Sequence, residues 1–202
     1  MSTDRIVFET GVASDKGLVR QVNEDAYLLR PGVGVWAVSD GMGGHAAGQF
    51  ASHMVVDGLS GVGEHDDAAG LVADCSARLV DANDRLREAA RSMGHERSGA
   101  TVVVLILHEK TFACVWCGDS RIYRVRGGMI QQLTRDHSEV EELIARGLLA
   151  REDAKTWPRR NVITRAVGVA DTVAVETVSG EVEFDDVFVL CSDGLTGHLD
   201  DA

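Results

Sequence analysis

Val35-Trp36-Ala37-Val38-Ser39-Asp40-Gly41 and Val187-Phe188-Val189-Leu190-Cys191-Ser192-Asp193-Gly194 follow one plan, an apolar run rich in β-branched and aromatic residues that ends in Ser-Asp-Gly. A third stretch, Phe112-Ala113-Cys114-Val115-Trp116-Cys117, closes on Gly118-Asp119-Ser120. Short runs of this composition bounded by Gly and Asp read as buried strands, so each carboxylate is expected at the exit of a core strand. Any one of these junctions is explained by turn chemistry alone. Three rigidly mounted acids together suggest a hard-cation site. After Asp40 come Gly41-Met42-Gly43-Gly44, and glycines at such density let backbone approach a ligand closely and expose carbonyls to it.

Outward from these runs, the pattern predicts strands over 6–14, 26–29, 33–39, 100–107, 111–117, 122–125, 129–133, 173–178 and 187–191, with Gly127-Gly128 as a hairpin turn. A helix is expected over 46–59. From 67 to 93, Leu71, Cys75, Leu79, Ala82, Leu86, Ala89 and Met93 recur at spacings of three and four, one stripe of a long amphipathic helix that should lie across a sheet. Ser138 with Glu141 reads as a capping box and Gly147 as a helix stop, and a second short helix is expected near Arg151. The polar segment 138–160 thus forms a small helical insertion. Helices and strands without regular βαβ alternation argue for an α+β layered fold with mostly antiparallel sheets. The expected architecture is two sheets flanked by helices, in one domain spanning 1–202.

The chain of 202 residues carries 20 Lys and Arg against 32 Asp and Glu, a net charge of −12. Such an excess of acid repels nucleic-acid and anionic-membrane phosphates, and a phosphorylated substrate would need bound cations to offset it. The longest apolar run, 102–107, falls far short of the ~18 residues of a membrane span, and the first residues lack a secretory pattern. A cytoplasmic protein with no membrane or nucleic-acid partner is expected. Cys114 and Cys117 have the spacing of a zinc or redox pair, but positions three apart on a strand face opposite sides, so they read as core.

Arg20 with Asn23-Glu24-Asp25, Ser39-Asp40-Gly41-Met42-Gly43-Gly44-His45, Ser98-Gly99-Ala100-Thr101, Gly118-Asp119-Ser120-Arg121, Thr134-Arg135-Asp136-His137-Ser138, Ile163-Thr164-Arg165-Ala166-Val167-Gly168 and Ser192-Asp193-Gly194-Leu195 resemble, in order, the signatures of the bacterial metal-dependent serine/threonine protein phosphatases, the PPM or type-2C family. The resemblance implies a four-layer α-β-β-α sandwich, with Mg²⁺ or Mn²⁺ held at one end, and with 138–160 as a flap beside the channel. Position by position, it makes Asp40 the bridge between two ions and Asp193 a ligand of the first. Glu24 and the Gly41 carbonyl become ligands of the second, while Asp25 holds ligand waters. Asp119, with Asp193, resembles the ligands of a third, weaker ion. Arg20 resembles the guanidinium that grips the substrate phosphate, a task suited to its planar fork of donors. Paired ions about 3.5–4 Å apart share a water, lower its pKa and aim it at phosphorus. The implied activity is hydrolysis of phosphoserine and phosphothreonine in proteins, opposing a cognate Ser/Thr kinase, by a monomer.

Two departures accompany the resemblance. Met42 stands where eukaryotic relatives carry a His after the Asp-Gly, which leaves the proton source open. His45 and His137 fall in matched blocks and read as hydrogen-bonded structural residues. The family's C-terminal Asp-Asn pair has no counterpart in Asp200-Asp201-Ala202, so the chain is either shortened or binds the first ion weakly, and a sheet edge should be left unpaired. Arg159, Arg160 and Arg165 are candidate contacts for acidic phosphopeptides. Two other functions stay open: a phosphoprotein-binding relative without a competent metal pair, and a hydrolase of small phosphoesters.

Overall fold

The computed structural model describes residues 7–44, 46–93 and 98–199. In chain order its elements are β1 (Asp25–Arg30), β2 (Val35–Met42), α1 (Ala46–Leu59), α2 (Ala68–Met93), β3 (Gly99–Ala100), β4 (Val102–His108), β5 (Thr111–Cys117), β6 (Arg121–Arg126), β7 (Met129–Gln132), α3 (Glu139–Ala145), a 3₁₀ turn (Arg151–Thr156), β8 (Glu176–Glu181), β9 (Val187–Cys191) and α4 (Asp193–Thr196). One sheet runs β1-β2-β4-β5-β8 with β3 paired to β2, and the other runs β7-β6-β9. Every named pairing is antiparallel.

The two-residue period of a strand decides the layering. In β4, Val102, Val104 and Ile106 join the core beneath α1 and α2. The intervening Val103, Leu105 and Leu107 join a second core with Ile122, Phe188 and Leu190 of the smaller sheet. β5 repeats the division, so Cys117 lies on the helix side and Cys114 on the sheet side. All four cysteines are buried, and burial pushes the thiols of Cys75, Cys114 and Cys117 up to about 12. They are packing residues. Each Val or Leu so buried contributes about 1.5–3 kcal/mol over exposure, which makes the doubly covered β4 the anchor of the sheet that carries the site.

Helix α2 buries Leu71, Cys75, Leu79, Ala82 and Leu86 on that sheet, the stripe its sequence predicts; Ala89 is half-buried, and the Met93 side chain lies outside the described residues. α1 presses Ala51, Val55 and Leu59 into the same core.

Several expectations change. Residues 7–14 form no strand: alternation describes faces, not a partner edge, and no strand pairs with them. Phe8 instead packs edge-on against Trp36, whose indole donates to Thr10 Oγ1 at 3.1 Å. Ile6 lies outside the described residues. The strand expected over 173–178 is displaced to β8, because the free edge of β5 selects Glu176–Glu181 through its register, while Val173 and Val175 pack on the core without pairing. A Cβ on Gly180 would sit 2.7 Å from the Phe112 ring, so a larger residue there would displace the ring. Helices cover the large sheet on one side and the small sheet covers it on the other. On the outward face of the small sheet, where the sandwich calls for a fourth layer, Ile130 and Val187 are half exposed and no long helix is seated among the described residues.

Candidate metal centre

Asp40 does not stand at a strand exit as expected. It lies within β2, where that strand leaves β4 and pairs Gly41 and Met42 with Ala100 and Gly99 of β3. The change of partner ties Asp40 twice to Thr101, whose N–H donates to the Asp40 carbonyl at 2.8 Å and whose Oγ1 accepts from the Asp40 N–H at 3.2 Å. Gly41 follows because a Cβ there would lie 2.0 Å from the Gly48 carbonyl oxygen of α1. The helix therefore packs directly on backbone at the site.

The antiparallel register sets Asp25 of β1 opposite Asp40. Just before it, the Glu24 carbonyl accepts from Gly41 N–H at 3.1 Å. The Glu24 carboxylate lies against Gly48, and its Oε1 is buried with no hydrogen-bond partner. Asp119 follows the end of β5. Asp193 opens α4 after β9, and the preceding Ser192 donates to Asp25 Oδ2 at 2.8 Å. All five acids line one cleft of about 1510 Å³ at the end of the two sheets.

The carboxylates act on one another electrostatically. Burial, then the charges of Asp25, Asp193 and Asp119, and a hydrogen bond with Asp193 raise the Asp40 carboxyl from 3.8 to about 8. Burial and the neighbouring Asp193 and Asp136 raise Asp119 to about 6. Asp25 is raised chiefly by burial, against the lowering effect of Ser192. Like charges that cannot all ionise without a counter-charge are the signature of a cation site. Among the described residues no three His, Cys, Asp or Glu side chains already close on one point as a metal shell. The donors are nonetheless carboxylates and carbonyls around a wet cleft, the set that Mg²⁺ and Mn²⁺ accept while keeping several waters. The orphaned Glu24 oxygen fits such an ion.

Arg20 is exposed at the cleft, and among the described residues it makes no ion pair with Glu24 or Asp25. Arg121, not singled out from sequence, also reaches the cleft, where its guanidinium is held by Asp136 through bonds of 2.7 to 3.1 Å and by Tyr123 Oη at 2.9 Å. The signal was available: Arg121 and Asp136 sit in two of the matched blocks, but pairing between blocks is invisible in one dimension. Of the three flap-side arginines, Arg159 is engaged by Glu139 at 2.9 Å and Arg165 by Glu176 at 2.7 Å, which leaves Arg160 facing the cleft. His137 is buried and structural: its Nδ1 accepts from Gly118 N–H at 3.1 Å, and its ring stacks on Trp116. His45, Asp200 and Asp201 lie outside the described residues.

The segment expected as a flap contains α3 and the 3₁₀ turn, and a bridge between Ser138 and Ile163 closes its base. Ser138 Oγ caps α3 by accepting from Glu141 N–H at 3.3 Å. The reciprocal half of the capping box is not seen, because the Glu141 carboxylate is taken by Arg135 and Arg151. No helix among the described residues is long and apolar enough to cross a membrane.

The family profile described as protein phosphatase 2C matches residues 18–202. A curated relative, serine/threonine phosphatase stp of Listeria innocua, is 34% identical over 197 residues, covering 94% of this chain and 78% of its own length. Among solved structures, PppA of Pseudomonas aeruginosa, described as a key regulatory component of T6SS, is similar at 41% identity and a TM-score of 0.85, covering 94% of this chain and 78% of that one. The catalytic domain of the serine/threonine protein phosphatase PstP, solved with 2 manganese ions, aligns at a TM-score of 0.82 and 31% identity over 94% of this chain and 79% of its own.

Proposed function

Because the chain belongs to the protein phosphatase 2C family, we propose that it is a metal-dependent protein serine/threonine phosphatase whose centre is assembled from Glu24, Asp40, the Gly41 carbonyl, Asp119 and Asp193. The observation that carries this reading is the Asp40 carboxyl, raised to about 8 by burial and by three other aspartates. A protein maintains such mutual repulsion where a cation relieves it.

Asp40 and Asp193 would hold the first ion, Asp40, Glu24 and Gly41 the second, and Asp119 with Asp193 a weaker third. When bound, these ions supply a water of lowered pKa and neutralise phosphate charge. The remaining work belongs to the chain. Arg20 binds the phosphoryl oxygens with its forked donors. Asp25, fixed by Ser192, orients water at the ion cluster. Arg121 is a cation at the cleft wall whose direction Asp136 sets. No cysteine is available as a nucleophile, since all four are buried and none lines the cleft. Phosphorylated proteins are the substrates. A cognate Ser/Thr kinase, a monomeric state and a cytoplasmic location belong to the same proposal.

The test is Mn²⁺-dependent phosphate release from a phosphothreonine peptide. Turnover that is abolished by chelation, and lowered at least about 100-fold by Asp40→Asn, is expected. Binding of the peptide without turnover would instead establish a recognition module, and preference for small phosphoesters a different hydrolase.

A further inference from the structure

Thr101 falls between β3 and β4, at the residue where β2 changes partner, and so stands outside both ladders. Its side chain is free to bond sideways. It is 4% exposed, and Ser120 beside it 1%. The Thr101 hydroxyl oxygen accepts from the N–H of Asp40 at 3.2 Å and shares a hydrogen with Ser120 Oγ at 2.6 Å. The same threonine presses on the loop that carries Asp119: a Cβ on Gly118, whose φ is +115°, would lie 2.5 Å from Thr101 Cβ. From beneath, the Thr101 carbonyl accepts from Ser39 Oγ at 2.7 Å. On its far side the loop is fixed by His137, which accepts from Gly118 N–H and donates its own N–H to Gly118 O at 2.9 Å.

We propose that Thr101 and Ser120 are positioning residues that clasp the Asp119 loop to the Asp40 strand, so that the spacing of these two carboxylates, and the chain's affinity for divalent ions, depends on two buried hydroxyls. The inference rests on the metal-centre reading above and adds to it the residues that hold the centre in register. A hydroxyl buried for packing alone needs one partner of any kind. This pair begins on the backbone of Asp40 and ends on the neighbour of Asp119, with His137 removing the loop's remaining slack. Supporting groups of this sort typically govern metal affinity by about 10–100-fold.

The experiment is a calorimetric Mn²⁺ titration of the full chain and its variants, with thermal melts in the absence of metal as the folding control. Thr101→Val, close in shape, and Ser120→Ala should each weaken by about tenfold the binding that Asp119→Asn also weakens. Thr101→Ser, which keeps the hydroxyl, should restore it. In an Asp119→Asn background, Thr101→Val should cause no further loss, an epistasis that a merely structural role would not produce. Should Thr101→Val fail to fold, Ser120→Ala carries the test, because it leaves the Asp40 N–H its partner. Wild-type binding with folded but indifferent variants, or additive losses in the double variant, would overturn the clasp alone. No Mn²⁺ binding by wild type would overturn the metal-centre reading and the clasp with it.

Discussion

Filling the cleft with Mn²⁺ should expel a proton, and the amount follows from the acids already described. With Asp40 at about 8 and Asp119 at about 6, the first is about nine-tenths protonated at pH 7 and the second about one-tenth. A cation bound at these oxygens displaces both fractions, so about one proton leaves per chain at pH 7 and about a quarter at pH 8.5. The sign is fixed by the raised values: the proton competes with the ion below pH 8 and ceases to compete above it. Affinity should climb about tenfold per pH unit between pH 6 and 8, equivalent to about 1.4 kcal/mol per unit, and then level off. Isothermal titration in two buffers of different ionisation enthalpy counts the protons directly. Asp40→Asn should remove most of the release. Proton release below about 0.2 at pH 7, or release that does not shrink by pH 8.5, would refute the electrostatic account of the cluster.

The same carboxyl links stability to pH without metal. The folded Asp40 pKa of about 8 lies above its ordinary 3.8, so its contribution is present at low pH and is lost as pH rises through 8. His137, lowered mainly by burial, acts in the opposite sense only below its ordinary 6.5, which leaves pH 7 to 8 to Asp40. The metal-free chain should lose about 1 kcal/mol over that unit, and saturating Mn²⁺, which keeps Asp40 ionised throughout, should flatten the trend; a chelated protein that gains stability from pH 7 to 8 in thermal melts would contradict this. Gly41→Ala places a methyl 2.0 Å from the Gly48 carbonyl, a clash of backbone with backbone that forces α1 off β2. A cost of about 3 kcal/mol or more in urea unfolding is expected, together with weakened Mn²⁺ binding, and a cost under about 1 kcal/mol would show the contact to be soft.

What the sequence revealed was whatever is local or periodic. The 46–59 helix and the 111–117 strand coincide with α1 and β5, because their apolar spacing alone specifies which face is buried. The opposed placement of Cys114 and Cys117 followed from strand period in the same way. What it concealed depended on partners. Residues 7–14 alternate yet join no strand ladder among the described residues, while the polar Glu176–Glu181 becomes a strand because β5 offers an edge. Asp40 looked like a strand exit because the glycines after it suggest a turn, but β3 continues the ladder past it. The acids themselves were legible from repeated Asp-Gly junctions and the family resemblance. Their supports, Arg121 with Asp136 and Thr101 with Ser120, join segments 15 and 19 residues apart, and such pairing is set by the fold.

Acids from distant parts of the chain are proposed to gather divalent ions. A crystal of the protein soaked with Mn²⁺ and measured at the manganese absorption edge locates those ions without assumption. Anomalous peaks about 2.0–2.3 Å from carboxylate oxygens of Asp40, with Glu24 on one side and Asp193 on the other, are the expected result. Peaks elsewhere on this acidic surface, with none at Asp40, would contradict it.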